Sequence, residues 1–199
     1  MSWERLNPKN EPSLMQDGQG VAIQRMHWWR YALTGAQATA DAANNIHVSV
    51  TMTTATQTIT TNIVQPTCPR CLSVTGGADQ TGIVTVHGTN INGDPISESF
   101  TMISSTLIPG AKAFKSVTSI VYPPYTVNST KTVVVGDSDI LGLPVCLASA
   151  VDVETCSVNG TKETVAGVSV SSTVICSNTV DPTSALAGTA IIFTGVLYS

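Results

Sequence analysis

Charge is what this sequence has least of. Asp, Glu, Lys and Arg make up 11% of its 199 residues, less than half the share usual in a soluble domain. The formal net charge is −4, so no basic field exists to hold a phosphate backbone, and nucleic-acid binding by the body of the protein is not expected. No run of eighteen apolar residues occurs, so no membrane-spanning helix is expected. The opening Met1-Ser2-Trp3-Glu4-Arg5-Leu6 lacks the charged-then-apolar layout of a signal peptide, which predicts synthesis and use without export. Cysteine is sparse and odd in number: Cys68, Cys71, Cys146, Cys156 and Cys176 form no regular disulfide framework. In a reducing compartment such residues are free thiols packed as small hydrophobes. Aromatic residues amount to 5% of the chain, and all three tryptophans fall within its first 29 residues.

Apolar residues nevertheless make up 42% of the chain. Disorder goes with low hydrophobicity and high charge, so this composition belongs to a folded protein whose polar surface is Thr, Ser, Asn and Gln. Residues 1–35 differ from the rest. They hold Trp3, Trp28 and Trp29 and four of the nine basic residues, Arg5, Lys9, Arg25 and Arg30. Asn7-Pro8 and Glu11-Pro12 deny the start a regular helix or central strand, and Asp17-Gly18-Gln19-Gly20 reads as a joint. The division predicted is an N-terminal arm over 1–35 and one domain over 36–199.

From Ile46 the pattern has period two: Ile46, Val48, Val50 and Met52 alternate with His47, Ser49, Thr51 and Thr53, the mark of a half-buried strand. Further strands are predicted at 56–63, 71–75, 82–88, 96–103, 113–122, 130–136, 143–149, 151–158, 165–176 and 189–198. Asn159-Gly160 between β-rich flanks selects a two-residue type I′ hairpin. Ala190-Ile191-Ile192-Phe193 is apolar on both faces, which places it in a central strand. Only 32–43 has any helical character, weakened by its Thr and Gly. Short strands separated by Gly, Pro and Asn turns, without alternating helices, predict an all-β antiparallel β-sandwich, jelly-roll or immunoglobulin-like, carrying an extended N-terminal arm.

Enzyme chemistry finds little support. The candidate bases His27, His47 and His87 have no accompanying nucleophile motif, phosphate-cradling loop or dinucleotide fingerprint, so no catalytic residue, cofactor or metal is assigned. Cys68-Pro69-Arg70-Cys71 has the spacing of a redox or zinc pair, but a second donor pair is missing and the motif leads into a strand. Gly136-Asp137-Ser138-Asp139 reads as an acidic turn. Glu98 shares the inward face of its strand with Ile96, Phe100 and Met102. It stands on a partly buried contact face or pairs with Lys112, Lys115 or Arg70. Asn128-Ser129-Thr130 and Asn159-Gly160-Thr161 match glycosylation sequons, a coincidence in a Thr- and Asn-rich chain that lacks an export signal. The tryptophans are the stronger functional signal. A packed Trp buries roughly 150–250 Å², worth about 4–6 kcal/mol, so these fold back onto the domain or dock on a neighbour. Trp and Arg are enriched at binding hot spots, which favours docking and makes Trp3, Arg5, Arg25, Trp28, Trp29 and Arg30 the candidate anchors.

Several segments resemble a class of small tailed-phage virion proteins: Thr56-Gln57-Thr58-Ile59-Thr60-Thr61, Pro69-Arg70 before a strand, and Gly88-Thr89-Asn90-Ile91-Asn92-Gly93 leading to Glu98. Lys112-Ala113-Phe114-Lys115 before Val117-Thr118-Ser119-Ile120, and Val135-Gly136-Asp137 before Leu141-Gly142-Leu143-Pro144, belong to the same pattern. The resemblance covers residues 31–145 and leaves out the arm and the C-terminal part. It implies a structural, non-enzymatic virion protein of the capsid decoration (cement) type, made in the host cytoplasm and placed on the capsid surface. Its expected partners are the major capsid protein and copies of itself, as a dimer or trimer. Two alternatives stand beside it: a tail, neck or head-fibre component of the same particle, and a carbohydrate-binding β-module. The latter needs aromatic platforms, yet beyond residue 31 there are no tryptophans and few tyrosines, namely Tyr122, Tyr125 and Tyr198.

Overall fold

The structure of the chain, a computed structural model, describes residues 26–125 and 131–198. Its strands are β1 (Met26–Leu33), β2 (His47–Thr51), β3 (Gln57–Ile59), β4 (Arg70–Gly76), β5 (Thr81–Thr89), β6 (Pro95–Ile103) and β7 (Leu107–Phe114). They continue with β8 (Ser116–Tyr122), β9 (Thr132–Gly142), β10 (Val153–Val158), β11 (Thr161–Glu163), β12 (Val165–Ser169), β13 (Thr179–Pro182) and β14 (Ile191–Tyr198). Two single-turn 3-10 helices at Ala150–Asp152 and Ile175–Ser177 complete the regular structure of the described residues. The protein is all-β and its strand pairs are antiparallel.

The strands form three sheets, ordered β1-β14-β10-β11, β12-β13-β9-β4-β7 with β2 also on β9, and β3-β8-β5-β6. Two apolar cores lie among them. The first gathers Val84 and Val86 of β5, Phe100 and Met102 of β6, Val117, Ile120 and Tyr122 of β8, Leu72 and Val74 of β4, and Val133 and Val135 of β9. The second gathers Leu33 of β1, Ile191 and Phe193 of β14, Cys156 of β10, Val180 of β13, and Leu141 and Leu143 at the far end of β9. One long strand, β9, therefore feeds both cores, and its change of core falls at Gly136-Asp137.

A buried ion pair occupies that junction. Arg70, at the start of β4, is 0% exposed, and its Nη1 donates to Asp137 Oδ2 at 2.6 Å. The other carboxylate oxygen accepts from Asn45 Nδ2 at 2.8 Å and from the Ala42 N–H at 3.0 Å. Arg70 Nη2 donates to the Thr39 carbonyl at 3.0 Å. Gly136 has no side chain because the Ala42 carbonyl and Ala43 backbone pass where a Cβ would stand. The pair thus pins the segment between β1 and β2 onto the sheet. Asp137 is a strand residue, and the acidic turn expected over 136–139 is not formed.

Other expectations are corrected in the same way. The stretch at 32–43 is not helical; it ends β1 and continues as turns. The single strand expected over 113–122 is two, because the chain leaves β4 at Phe114 and joins β5 from Ser116, crossing between sheets at Lys115. Residues 143–149 form a loop, and the strand begun at Val165 stops at Ser169. In β2 the register shifts between His47 and Val50. This bulge turns Val48 outward, 63% exposed, and turns His47 inward, against the simple alternation read from the sequence. The Asn159-Gly160 hairpin forms, with φ of 50° and 79°, and β14 is central in its sheet.

Candidate interaction surface

The anchor residues that can be placed lie on β1. Trp3, Arg5 and Arg25 fall outside the described residues, whereas Trp28, Trp29 and Arg30 sit on this strand, paired residue for residue with β14 from Met26↔Tyr198 to Leu33↔Ile191. The last ten residues of the stretch read as an arm, 26–35, thus include a full-length strand of the body. Its alternation decides which Trp does what. Trp29, Tyr31 and Leu33 face the second core; Trp28, Arg30 and Ala32 face out.

Trp29 is seated by a glycine. It stands opposite Gly195, where an added Cβ would lie 2.7 Å from the indole ring and would collide with the Asp152 carbonyl. The ring fills the space a side chain at 195 would need, an aromatic-over-glycine pairing seen where sheets must close tightly. Beside it, burial and then the neighbouring Cys68 push the Tyr31 hydroxyl up to about 12. Trp29 has therefore folded back onto its own domain. Trp28 has not: it is 65% exposed, two residues from the exposed Arg30 and on the same face. β1 also ends its sheet, so its second long edge carries no strand among the described residues.

All five cysteines are free, four of them buried. Burial first, then nearby acids, pushes the Cys71 thiol to about 12, and burial with the Glu163 carboxylate does the same at Cys156. These thiols stay protonated and unreactive at neutral pH. No group of three or more His, Cys, Asp and Glu able to hold a metal occurs among the described residues. His47 is buried against Tyr122, ring centroids 6.3 Å apart, and His87 points to solvent. Thr161 of the Asn159 sequon is exposed at the hairpin; Asn128 lies outside the described residues.

Of the two readings of Glu98, the partly buried face holds and the ion pair does not form. Arg70 is committed to Asp137, Lys112 Nζ donates to the Ser97 carbonyl at 2.7 Å, and Lys115 Nζ donates to that of Ile91 at 3.3 Å. The Glu98 carboxylate instead accepts the backbone N–H groups of Ala111 at 2.6 Å and Lys112 at 3.4 Å. It ties the edge of β6 to that of β7, two strands of different sheets. Burial holds its carboxyl above the usual range in spite of those donors.

Asn178 escaped sequence reasoning. Fully buried, it accepts from the Leu147 and Ser171 N–H groups and donates to the Ser171 and Val174 carbonyls. It ties the loop that follows β9 to the loop that precedes β13, in place of the strands expected there. A lone Asn in Ser- and Thr-rich sequence offered no signal for this.

No family model, curated protein or solved structure matches this chain.

Proposed function

We propose that the protein is a structural component of a tailed-phage particle, of the capsid decoration type. On this reading a β-sandwich body, jelly-roll or immunoglobulin-like, rests on the capsid and attaches through its N-terminal region. The observation that carries the proposal is the exposed Trp28 beside Arg30 on an open-edged strand. A large aromatic left two-thirds in water next to a cation is the composition of an interface hot spot awaiting its partner. The resemblance over 31–145 supplies the kind of partner, the major capsid protein. The many Thr and Ser and the low charge suit a rigid body that meets its neighbours over broad surfaces.

The test is cosedimentation with phage heads that lack the protein, using the full chain, a chain without residues 1–25, and Trp28→Ala. Because β1 begins at Met26, the truncation removes none of the described strands. Loss of head binding in either variant, with an unchanged melting temperature, supports the proposal. Binding equal to the full chain in both overturns the attachment mechanism. Binding to tail fractions alone reassigns the protein to the tail, neck or fibre.

A further inference from the structure

Sheet edges with unpaired N–H and C=O groups invite another strand, and folded proteins usually blunt them. Among the described residues nearly every edge is blunted. β7 contains Pro109, and Glu98 takes the N–H groups of Ala111 and Lys112. β6 begins at Pro95 and points Glu98 inward. β3 and β11 are three residues each. β2 and β12 have five each and both carry register shifts. β1 is the exception. It runs eight residues in unbroken register, without Pro, Gly, Lys or an acid, and presents Trp28 and Arg30 on its outer face.

We propose that the open edge of β1 is where a second copy of this chain adds its own β1, antiparallel about a two-fold axis, so that two sheets become one. Geometry narrows the register. An axis perpendicular to the sheet keeps the faces, so outward residues must oppose outward ones and inward must oppose inward. Centring the axis on Arg30 sets two guanidinium groups against each other, which is unfavourable. Centring it on Tyr31 opposes Trp28 to Thr34, beyond the strand, and leaves the indole uncovered. Centring it on Trp29 places Trp28 across from Arg30 of the partner subunit, and the two-fold repeats that contact. Directly opposed side chains lie about 5 Å apart, which puts a cation over each exposed indole face. Self-complementarity selects a second copy over an unrelated strand, since the same two residues supply both halves of each contact.

This inference stands without the phage reading, since it gives Trp28 and Arg30 a second copy to meet in place of a capsid, and its test needs no capsid. Sedimentation velocity on the full chain, wild type and Arg30→Glu, reads the assembly state; Arg30→Lys keeps the cation. In a Cys146→Ser background, which removes the half-exposed native thiol, Trp28→Cys with Arg30→Cys reports the register by disulfide formation between chains. The expected result is a wild-type dimer, retained by Arg30→Lys, monomeric in Arg30→Glu, and cross-linked by the cysteine pair but not by Trp28→Cys alone. A monomer at every concentration overturns the proposal. So does an oligomer that survives Arg30→Glu and fails to cross-link.

Discussion

Replacing Asp137 by Ala tests whether the buried pair holds the two halves of the β-body together. The carboxylate has three donors: Arg70 Nη1 at 2.6 Å, Asn45 Nδ2 at 2.8 Å and the Ala42 N–H at 3.0 Å. Removing it leaves the guanidinium of a fully buried Arg70 without a counter-charge, which costs about 3–5 kcal/mol. The two orphaned N–H donors belong to a segment that can turn to water, and together they add about 1 kcal/mol. A loss of about 4–6 kcal/mol is a large part of the roughly 5–15 kcal/mol that holds a domain folded. At about 2–4 °C per kcal/mol for a chain of this size, the melting temperature should fall by about 10–20 °C, read by calorimetry or circular dichroism. Asp137→Asn, which keeps an oxygen for Asn45 and Ala42, should lose less. Arg70→Met with Asp137→Leu should also lose less than Asp137→Ala alone, because no unpaired charge remains. An Asp137→Ala protein melting within about 3 °C of wild type would refute the claim that the pair fastens the 34–46 segment to the sheet.

Glu98 gives a pH signature. Burial raises its folded-state pKa, so the folded protein binds that proton more tightly than the unfolded chain. The associated stability is full below the ordinary carboxyl value and declines as pH rises through the folded one. Melting curves of wild type and Glu98→Gln should therefore diverge in the variant's favour as pH climbs from about 4 towards 7; parallel curves would dismiss the effect. Gly195→Ala should cost about 1–3 kcal/mol, because its methyl group meets the Trp29 ring and the Asp152 carbonyl; Trp29 fluorescence and melting temperature would report it, and an unchanged melt would refute the seating of β1. Thiol titration of the native protein should modify Cys146 and spare Cys71 and Cys156, whose pKa values stand near 12; rapid labelling of Cys71 would contradict its burial.

Much of the fold could be read from local pattern, because a half-buried strand writes its two faces into alternate residues and a type I′ turn needs two residues that accept positive φ. β14 was legible for that reason, and so was the hairpin at Asn159-Gly160. What failed was non-local. β7 was hidden by Pro109-Gly110, a breaker in a central strand but tolerable in an edge strand. The β2 bulge turned Val48 outward although the sequence around it alternates without a break. The ion pair joins residues 67 apart, yet a faint trace of it existed: a single cation before Cys71-Leu72, and Asp137, the first of two acids after Val133-Val134-Val135, each set in a strand and each needing a partner if buried. The surface was half legible. Composition singled out the tryptophans, but only the pairing of β1 with β14 separates Trp29, which is seated, from Trp28, which is offered.

That separation gives the ion pair a bearing on attachment as well as stability. β1 is held along one edge by β14, and at its end Gly35 and the Gly188 carbonyl approach so closely that neither chain could accept a side chain at 35. Beyond that point the Ala38 carbonyl takes the Gly188 N–H at 2.9 Å, and Thr39, Ala42 and Asn45 are fastened to Arg70 and Asp137. The strand that presents Trp28 and Arg30 is thus continuous with a segment bolted to the junction of the two cores. A partner meeting this face finds its backbone already ordered and loses less entropy on binding than it would against a free arm. The buried charges, which contribute nothing to the surface directly, thus add to the hold that β14 has on this strand.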